Sequence, residues 1–380
     1  MVILSILAVA LSAATVLLSV FALHGFQQTI SQKVSELQGD YMIDDPANVE
    51  GAEWKALPDV QAHLIRRAVQ QSGLDWMLEP VAQRACIAKS QGEVEGVMAR
   101  GLSQQAILRL KSDADTTRLA LYLSKSLATR LNVQEGDAVS LLFFESGKGR
   151  ARARRYPVGG FLSQGLDEFD QHSVVVPLEA LKTLMPEGHT VSRWELRAPA
   201  AVSTEEQERS VSLIQSELPP GLLRISSVET QNRALYDWLR VLDTNLWVML
   251  VLMIAVAVIA LSTTLLILMF EQTSLVGLLQ ALGAHKAAIQ QVFWWQGLGI
   301  ALAGLIMGNA LAFGLAWAQN HFQWIQLDAE QYFIDAVVFS TSVSTALWVN
   351  VISLVLCMLL MLFPIRFVRK MSVSSALRYE

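Results

Sequence analysis

Charged side chains are missing from four long apolar stretches of this chain. No Asp, Glu, Lys or Arg occurs in residues 1–32, 246–270, 287–327 or 336–365. A helix rises about 1.5 Å per residue, so roughly 20 apolar residues cross the roughly 30 Å hydrocarbon layer of a bilayer. Each stretch is long enough to do so. The pattern therefore predicts an α-helical membrane protein with four transmembrane helices.

The chain between the first two apolar stretches has a mixed pattern. Apolar residues such as Val60, Leu64 and Ala68 recur at helical spacing within residues 58–72, and residues 119–131 also fit a helix. Turn signals around AVSLLFF (138–144) predict a β-hairpin, and residues 193–197, 205–218 and 222–226 fit a strand, a helix and a strand. Because helices are inserted among hairpins without strict alternation, we expect an α+β extracytoplasmic domain between helices 1 and 2.

A continuous helix is expected to lead from this domain into the second apolar stretch. The sequence contains no Gly or Pro from Glu229 to Phe270, and ETQNRALYDWLRVLDTN has helical periodicity. An unbroken helix can carry a displacement that a flexible linker would absorb. We predict a stalk here, and its candidate residues are Asp237, Trp238, Leu239, Arg240 and Asp243.

A short amphipathic segment follows the second apolar stretch. Leu275, Leu278, Leu279 and Leu282 recur at helical spacing, Glu271 precedes them, and Gly283 stands where a left-handed cap would end a helix. The loop is too short to return into the bilayer. Its leucine stripe must therefore lie at the membrane interface or against another protein.

This segment carries a family resemblance. The string FEQTSLVGLLQALGAHKAAIQQVFWWQ resembles the coupling-helix region of ABC-transporter permeases of the MacB and FtsX type. SKSLATRLNVQEGDAVSLLFF and YPVGGFLSQGLDEFDQHSVVVPLEAL look like the core of the MacB-type periplasmic domain. The resemblance covers nearly the whole chain, most specifically residues 237–283 and 327–380. It is greatest to the permease subunits of the lipoprotein-releasing (Lol) system.

The resemblance implies a function and a set of partners. Two permeases, either two copies or this chain and a paralogue, would pair with two ATPase subunits in the cell inner membrane. The ATPases would hold ATP and Mg²⁺, so this subunit would be non-catalytic. Their closure would move the stalk and release lipoproteins from the outer leaflet to a soluble periplasmic carrier. The implied ATPase-coupling residues are Glu271, Thr273, Ser274, Gly277, Leu278, Leu282 and Gly283.

Two other functions remain open for this architecture. An FtsX-like signalling module would use the same parts to activate a cell-wall hydrolase, and a MacB-like component would drive efflux through an outer-membrane duct. The size of the outer domain weighs against the first, and the missing fused ATPase domain weighs against the second.

The distribution of charge predicts the topology. Arg366, Arg369, Lys370 and Arg378 make the tail basic and therefore cytoplasmic, whereas residues 328–335 carry only acidic charges and are expected outside. The first stretch is expected to be a retained span rather than a cleaved signal peptide, because no Lys or Arg precedes it. The predicted division is 1–24 helix 1, 25–228 periplasmic domain, 229–270 stalk and helix 2, 271–290 coupling helix, 291–319 helix 3, 320–341 periplasmic loop, 342–365 helix 4 and 366–380 cytoplasmic tail.

Composition narrows the chemistry further. The 380 residues are 53% hydrophobic, with a mean hydropathy of +0.38 and 17% charged residues. The sequence contains no phosphate-binding loop and no zinc-protease motif, and the spans carry no charged groups for proton or ion coupling. Cys86 and Cys357 suggest neither a disulfide nor a metal site. We expect no catalytic, cofactor or metal site in this chain, and no nucleic-acid partner.

One basic run remains as a candidate surface. Arg150, Arg152 and Arg154 alternate with Ala and would share one face of a strand. A solvated strand face is the ordinary interpretation of this pattern. A docking surface for an acidic partner or for membrane lipid headgroups is the sharper hypothesis.

Overall fold

The computed structural model of this protein describes residues 2–48, 56–111, 119–144, 151–162, 172–185, 189–199, 202–272, 275, 278–279, 282, 284–327 and 336–368. The chain divides into two compact units. The outer unit contains Ile30–Tyr236. The helical unit contains Met1–Thr29, Asp237–Leu327 and the last long helix.

The described helices and strands are numbered in chain order. The helices are α1 (Val2–Gln38), α2 (Asp59–Gln71), α3 (Gln104–Leu110), α4 (Lys125–Leu131), α5 (Leu178–Lys182), α6 (Thr204–Glu217), α7 (Val228–Gln231), α8 (Arg233–Glu271), α9 (Lys286–Phe322) and α10 (Val343–Val368). The strands are β1 (Tyr41–Asp44), β2 (Leu57–Pro58), β3 (Met77–Ser90), β4 (Glu93–Leu102), β5 (Leu121–Leu123), β6 (Ala138–Phe144), β7 (Ala151–Phe161), β8 (Ser173–Pro177), β9 (His189–Val191), β10 (Arg193–Arg197) and β11 (Arg224–Ser227).

The outer unit is built on one long, mostly antiparallel sheet. Its described strands pair in the order β11, β1, β10, β3, β4, β8, β5, β7, β6, and β6 also pairs with β3. This last pairing closes β3, β4, β8, β5, β7 and β6 into a ring. The first half of β3 pairs with β10 and the second half with β4, so β3 belongs to both the ring and the open part of the sheet. The α+β prediction for this domain is confirmed.

The two largest hydrophobic cores among the described residues stabilise the outer unit. The ring encloses one core, to which α4 and α5 contribute Leu127, Leu131 and Leu181. The second core lies between the open strands and the helices α2 and α6, where Ile65 packs with Ile214 and other buried residues. Val60 and Leu64, which share the helical spacing with Ala68, are exposed; the buried face of α2 consists of Ile65, Ala68 and Val69.

The helix predicted over residues 119–131 is wrong in its first half. Leu121, Tyr122 and Leu123 form β5, which is fully buried between β7 and β8. The helix α4 starts only at Lys125, because the Ser124 side chain accepts a hydrogen bond from the Leu127 amide and caps it. Burial on both faces explains the uninterrupted apolar run, which helical periodicity alone does not distinguish from a strand.

The other elements of the outer domain agree better with the sequence. β6 and β7 form the predicted hairpin strands, and their connecting turn lies outside the described residues. β10 occupies the predicted positions. α6 begins at the Ser203 capping box, and β11 begins two residues later than predicted.

The two helices that leave the outer unit differ from their predicted limits. α1 continues to Gln38 rather than ending at residue 24. The predicted unbroken helix from Glu229 is interrupted at Asn232, which separates the short α7 from α8. The Asn232 side chain donates to the carbonyl of Val228 and to Oε1 of Gln38, and this competition with backbone bonding ends α7.

The helical unit has the character of a membrane protein. In the part of the chain that the structure describes, three helices are long and apolar enough to cross a membrane: Val2–Gln38, Arg233–Leu268 and Ala287–Phe322. The apolar segment Val343–Leu359 of α10 is shorter. The described residues therefore contain three candidate spans where the charge pattern predicts four.

Small residues allow α9 to pack closely on α1. A Cβ atom on Gly304 would lie 2.6 Å from Cγ1 of Val9, and one on Gly308 would lie 2.7 Å from the carbonyl oxygen of Ala10. Only glycine fits at such separations. α9 and α10 are joined by a pair of amides, in which Asn309 and Asn350 donate to each other at 2.9 and 2.8 Å.

Candidate functional site

The predicted stalk residues lie on α8, and three of the five contact α1. The ring of Trp238 meets the ring of Phe26 edge to face, with centroids 5.9 Å apart. Leu239 is buried. The side-chain amide of Gln27 donates to Oδ1 of Asp243 at 2.9 Å and to the carbonyl of Leu239 at 3.2 Å. Three of the five predicted residues therefore pack on or bond to α1.

The other two stalk residues face away from this contact. Asp237 and Arg240 pair at 3.6 Å, and both side chains are 70% exposed. An ion pair this exposed contributes little to stability. Asp237 and Arg240 are therefore free to be changed without disturbing the α1 contact.

The α1 partners of the stalk were missed in the sequence. Phe26 and Gln27 lie in FQQTIS, which continues the first apolar stretch without a charge. Farther along the same pair of helices, Val16 and Val20 pack with Leu250 and Ile254. The one sequence signal of this contact is the polar Gln27, which lies within a helix that the structure extends to Gln38. Helical periodicity does not identify which other helix packs against it.

The candidate coupling residues lie between α8 and α9. Glu271 is the last residue of α8, and the described positions of the following segment include helical residues, with the Leu282 amide bonded to the Leu278 carbonyl at 3.0 Å. All four leucines of the stripe are exposed: Leu275, Leu278, Leu279 and Leu282. Exposure reaches 77% at Leu282. Thr273, Ser274, Gly277 and Gly283 lie outside the described residues.

The basic surface predicted on the outer domain is seen in part. Arg152 and Arg154 are exposed on β7, opposite Phe143 and Leu141 of β6, and Arg150 lies outside the described residues. Burial raises the pKa of the neighbouring Tyr156, while the positive charge of Arg154 acts to lower it. The two arginines thus share the strand face that points toward the ring core, but lie beyond its buried part.

The described residues hold no group of three or more His, Cys, Asp or Glu side chains arranged to bind a metal ion. Cys86 lies in the core of the strand ring, where burial raises the pKa of its thiol to about 12. Such a thiol is not a nucleophile near neutral pH. Among the described residues, the predicted site consists of a helix pair and an exposed apolar stripe.

Comparison with known families assigns the chain. A family model described as MacB-like periplasmic core domain matches residues 2–212, and one described as FtsX-like permease C-terminal matches residues 247–373. The first match covers more than half of the chain. The chain belongs to the MacB-like periplasmic core domain family. The match to the permease model spans most of α8 and all of α9 and α10.

Individual relatives extend the similarity over nearly the whole chain. The lipoprotein-releasing system transmembrane protein LolC of Xylella fastidiosa (strain 9a5c) is 23% identical over 399 residues, which cover 99% of this chain and 93% of LolC. The lipoprotein-releasing system transmembrane protein LolE of Haemophilus influenzae is 22% identical over 388 residues, or 95% of this chain and 90% of LolE.

One solved structure has a weak similarity to this chain. The periplasmic region of MacB from Actinobacillus actinomycetemcomitans covers 53% of this chain and 95% of its own, with a TM-score of 0.34 and 14% identity.

Proposed function

We propose that this chain is the permease subunit of a MacB-type ABC transporter that releases lipoproteins from the outer leaflet of the inner membrane. The observation that carries the proposal is the similarity to LolC and LolE over 95% or more of the chain, which includes both the outer and the helical part. These relatives favour lipoprotein release over activation of a cell-wall hydrolase and over efflux.

The exposed leucine stripe supports an ATPase partner. Leu275, Leu278, Leu279 and Leu282 form an apolar surface on the segment between two candidate spans, and apolar side chains gain free energy when a partner removes them from water. In our proposal the ATPase docks on residues 271–283 and holds the ATP and Mg²⁺. This chain then contributes no catalytic or cofactor-binding residue to ATP hydrolysis.

The proposed topology has four spans in the inner membrane, and α10 provides the fourth. The basic tail and the coupling segment lie in the cytoplasm, and the outer unit lies in the periplasm, within the boundaries predicted above. Arg150, Arg152 and Arg154 would then face the periplasm, where an acidic partner or lipid headgroups could meet them.

The proposed mechanism is the transmission of movement. Closure of two ATPases pushes the coupling segments of two permeases, either two copies of this chain or this chain and a paralogue. The movement passes along α8, which has no Gly or Pro after Arg233, and it displaces the outer unit. A bound lipoprotein is then expelled to a soluble carrier without crossing the membrane.

Co-purification tests this proposal. The full chain is isolated from its native membrane, and the proteins bound to it are identified after crosslinking on intact cells. We expect an ATPase subunit and a soluble periplasmic carrier of lipoproteins. A cell-wall hydrolase, or an adaptor to an outer-membrane duct, in place of the carrier would contradict the proposal.

A further inference from the structure

The backbone carbonyls at the outer end of α1 need hydrogen-bond donors from outside the helix. The last four carbonyls of a helix have no intrahelical donors and form the negative end of the helix dipole. α1 ends at Gln38, and Gly39 follows in the left-handed conformation (φ +78°), with its amide bonded to the Ser35 carbonyl at 2.8 Å. This cap satisfies only part of the acceptor capacity of the helix end.

Two arginines of the sheet donate to these carbonyls. Nη2 of Arg100, on β4, lies 2.9 Å from the carbonyl oxygen of Leu37. Nη1 of Arg197, on β10, lies 2.6 Å from the carbonyl oxygen of Ser35. Both arginines and both acceptors belong to the outer unit. Cations at a helix C-terminus interact favourably with the dipole, and more so where they are buried.

A buried ionic cluster fixes the two arginines in place. Glu195 accepts from Arg100 at 3.0 Å and from Arg193 at 2.8 Å, and its other oxygen lies 3.6 Å from Arg197. Glu79 also accepts from Arg197, at 3.2 Å, and pairs with Arg109. Side-chain exposure is 4% for Arg100 and 1% for Glu195.

The cluster contains four arginines and two glutamates, so it carries an excess of positive charge that the helix carbonyls offset. Burial lowers the pKa of Arg100 to about 10, and Glu195 opposes the shift, so the guanidinium stays charged at neutral pH. Buried ion pairs stabilise a fold no better on average than apolar side chains of the same volume. The charged groups instead set the orientation of the atoms that they bind, because a guanidinium group bonds oxygen atoms in a fixed geometry.

Backbone hydrogen bonds also join Asp40, just after the end of α1, to β10 and to the start of α7, which precedes α8. The Asp40 amide donates to the Leu196 carbonyl at 2.8 Å, and the Val228 amide donates to the Asp40 carbonyl at 2.9 Å. The alternation of Arg193, Glu195 and Arg197 in RWELR was the sequence signal of this site, since residues two apart share one strand face.

We propose that Arg100 and Arg197 form a clamp that anchors the end of α1 to the sheet of the outer unit, which makes α1 a second mechanical link beside α8. This inference rests on the proposed function, because it assigns a transmitting role to α1 in the same cycle. Arg100 and Arg197 are positioning residues: they act by holding α1, and the sheet follows the helix when it moves.

The anchoring itself is tested by spin labels in the full chain. Labels are placed on the exposed positions Gln32 of α1 and Ser212 of α6, both in the outer unit, as Gln32→Cys and Ser212→Cys. Arg100→Met and Arg197→Met should broaden the label distance distribution. They should also speed exchange of the Gly39 and Asp40 amides on the order of tenfold, because a bond to a charged donor is lost. Unchanged distances and exchange in both variants would overturn the clamp.

Matched variants separate the clamp from general destabilisation. Arg84 also donates to backbone carbonyls, those of Leu184 and Phe144, elsewhere in the outer unit. Arg84→Met should leave the distances narrow and the exchange of Gly39 and Asp40 unchanged. Arg100→Lys keeps the charge in a smaller donor and should restore part of the anchoring. Arg197→Met serves if Arg100→Met does not fold, since Arg197 is less buried.

The transmitting role is tested in vesicles with the partner ATPase. Arg100→Met and Arg197→Met should keep ATP turnover within about twofold and reduce lipoprotein release on the order of tenfold, a change of about 1.4 kcal/mol. Release at the wild-type rate despite broadened label distances would overturn the inference. A wild-type complex that hydrolyses ATP without release would count against the proposed function alone, and the label distances would still decide the clamp.

Discussion

Gln27 of α1 and Asp243 of α8 are joined by a hydrogen bond of 2.9 Å from the side-chain amide to the carboxylate. The same amide reaches the Leu239 carbonyl, so one side chain of α1 holds both a side chain and the backbone of α8. The segment predicted to act as a stalk is therefore not a single helix, because α8 is bonded to α1 there. A force applied to α8 also acts on α1.

Loss of this bond should loosen the helix pair. We expect Gln27→Met, which keeps the length of the side chain, to lower the free energy of unfolding by about 1 kcal/mol. Detergent-titration unfolding of the full chain in micelles measures this change. Arg240→Met is the matched control, because the Arg240 and Asp237 pair is exposed and should contribute almost nothing. An equal loss of unfolding free energy in both variants would show that the hydrogen bond between Gln27 and Asp243 adds no stability of its own.

Thiol labelling in cells should separate the two sides of the membrane. A membrane-impermeant maleimide should modify Ser212→Cys of the outer unit in spheroplasts, and should reach His285→Cys, beside the coupling segment, only after the membrane is opened. Background labelling should be low, because Cys86 and Cys357 are buried and burial raises the pKa of the Cys86 thiol to about 12. Modification of His285→Cys from outside would contradict the topology.

A charge on the leucine stripe should prevent ATPase docking. Leu278 is 59% exposed in the isolated chain, so Leu278→Asp should not harm folding. Desolvating an unpaired carboxylate at an interface costs several kcal/mol, and we expect co-purification of the ATPase to be lost. Leu213→Asp, at a comparably exposed leucine of α6, should leave it intact. If the Leu278 variant retains its ATPase and full ATP turnover, the docking site is elsewhere.

The sequence predicted the helical membrane part and the class of the outer domain, because charge-free stretches and turn signals are local features. It failed where tertiary contacts decide. β5 was read as helix because Leu121 to Leu123 are apolar on both faces, and their strand partners lie far along the chain. The break at Asn232 arises from a side-chain bond to Gln38, nearly two hundred residues away.

The candidate site was predictable only on one of its two helices. Trp238, Leu239 and Asp243 were identified from an uninterrupted helical pattern, but their partners Phe26 and Gln27 were not, since no pattern in one sequence indicates which helices pair. The coupling leucines were identified because an apolar stripe on a segment too short to bury it can be recognised from the local sequence. Their exposure in the structure agrees with that interpretation, while their contact with an ATPase stays a prediction.

In the proposed function, ATP hydrolysis is converted into movement of the outer unit through α8, and an α8 of lower helix propensity tests this. Leu239 is buried, so its replacement would also open a cavity; Arg240 and Val241 are exposed. Relative to the double Ala control, which keeps the helix, Arg240→Gly with Val241→Gly should cost roughly 1 kcal/mol per site in helix propensity.

The decisive measurement is the number of lipoproteins released per ATP hydrolysed in reconstituted vesicles. We expect the Gly-Gly variant to assemble and hydrolyse ATP at a near-normal rate but to release few lipoproteins, and the Ala-Ala control to match the wild type. Equal release per ATP in all three proteins would contradict the claim that α8 transmits the movement.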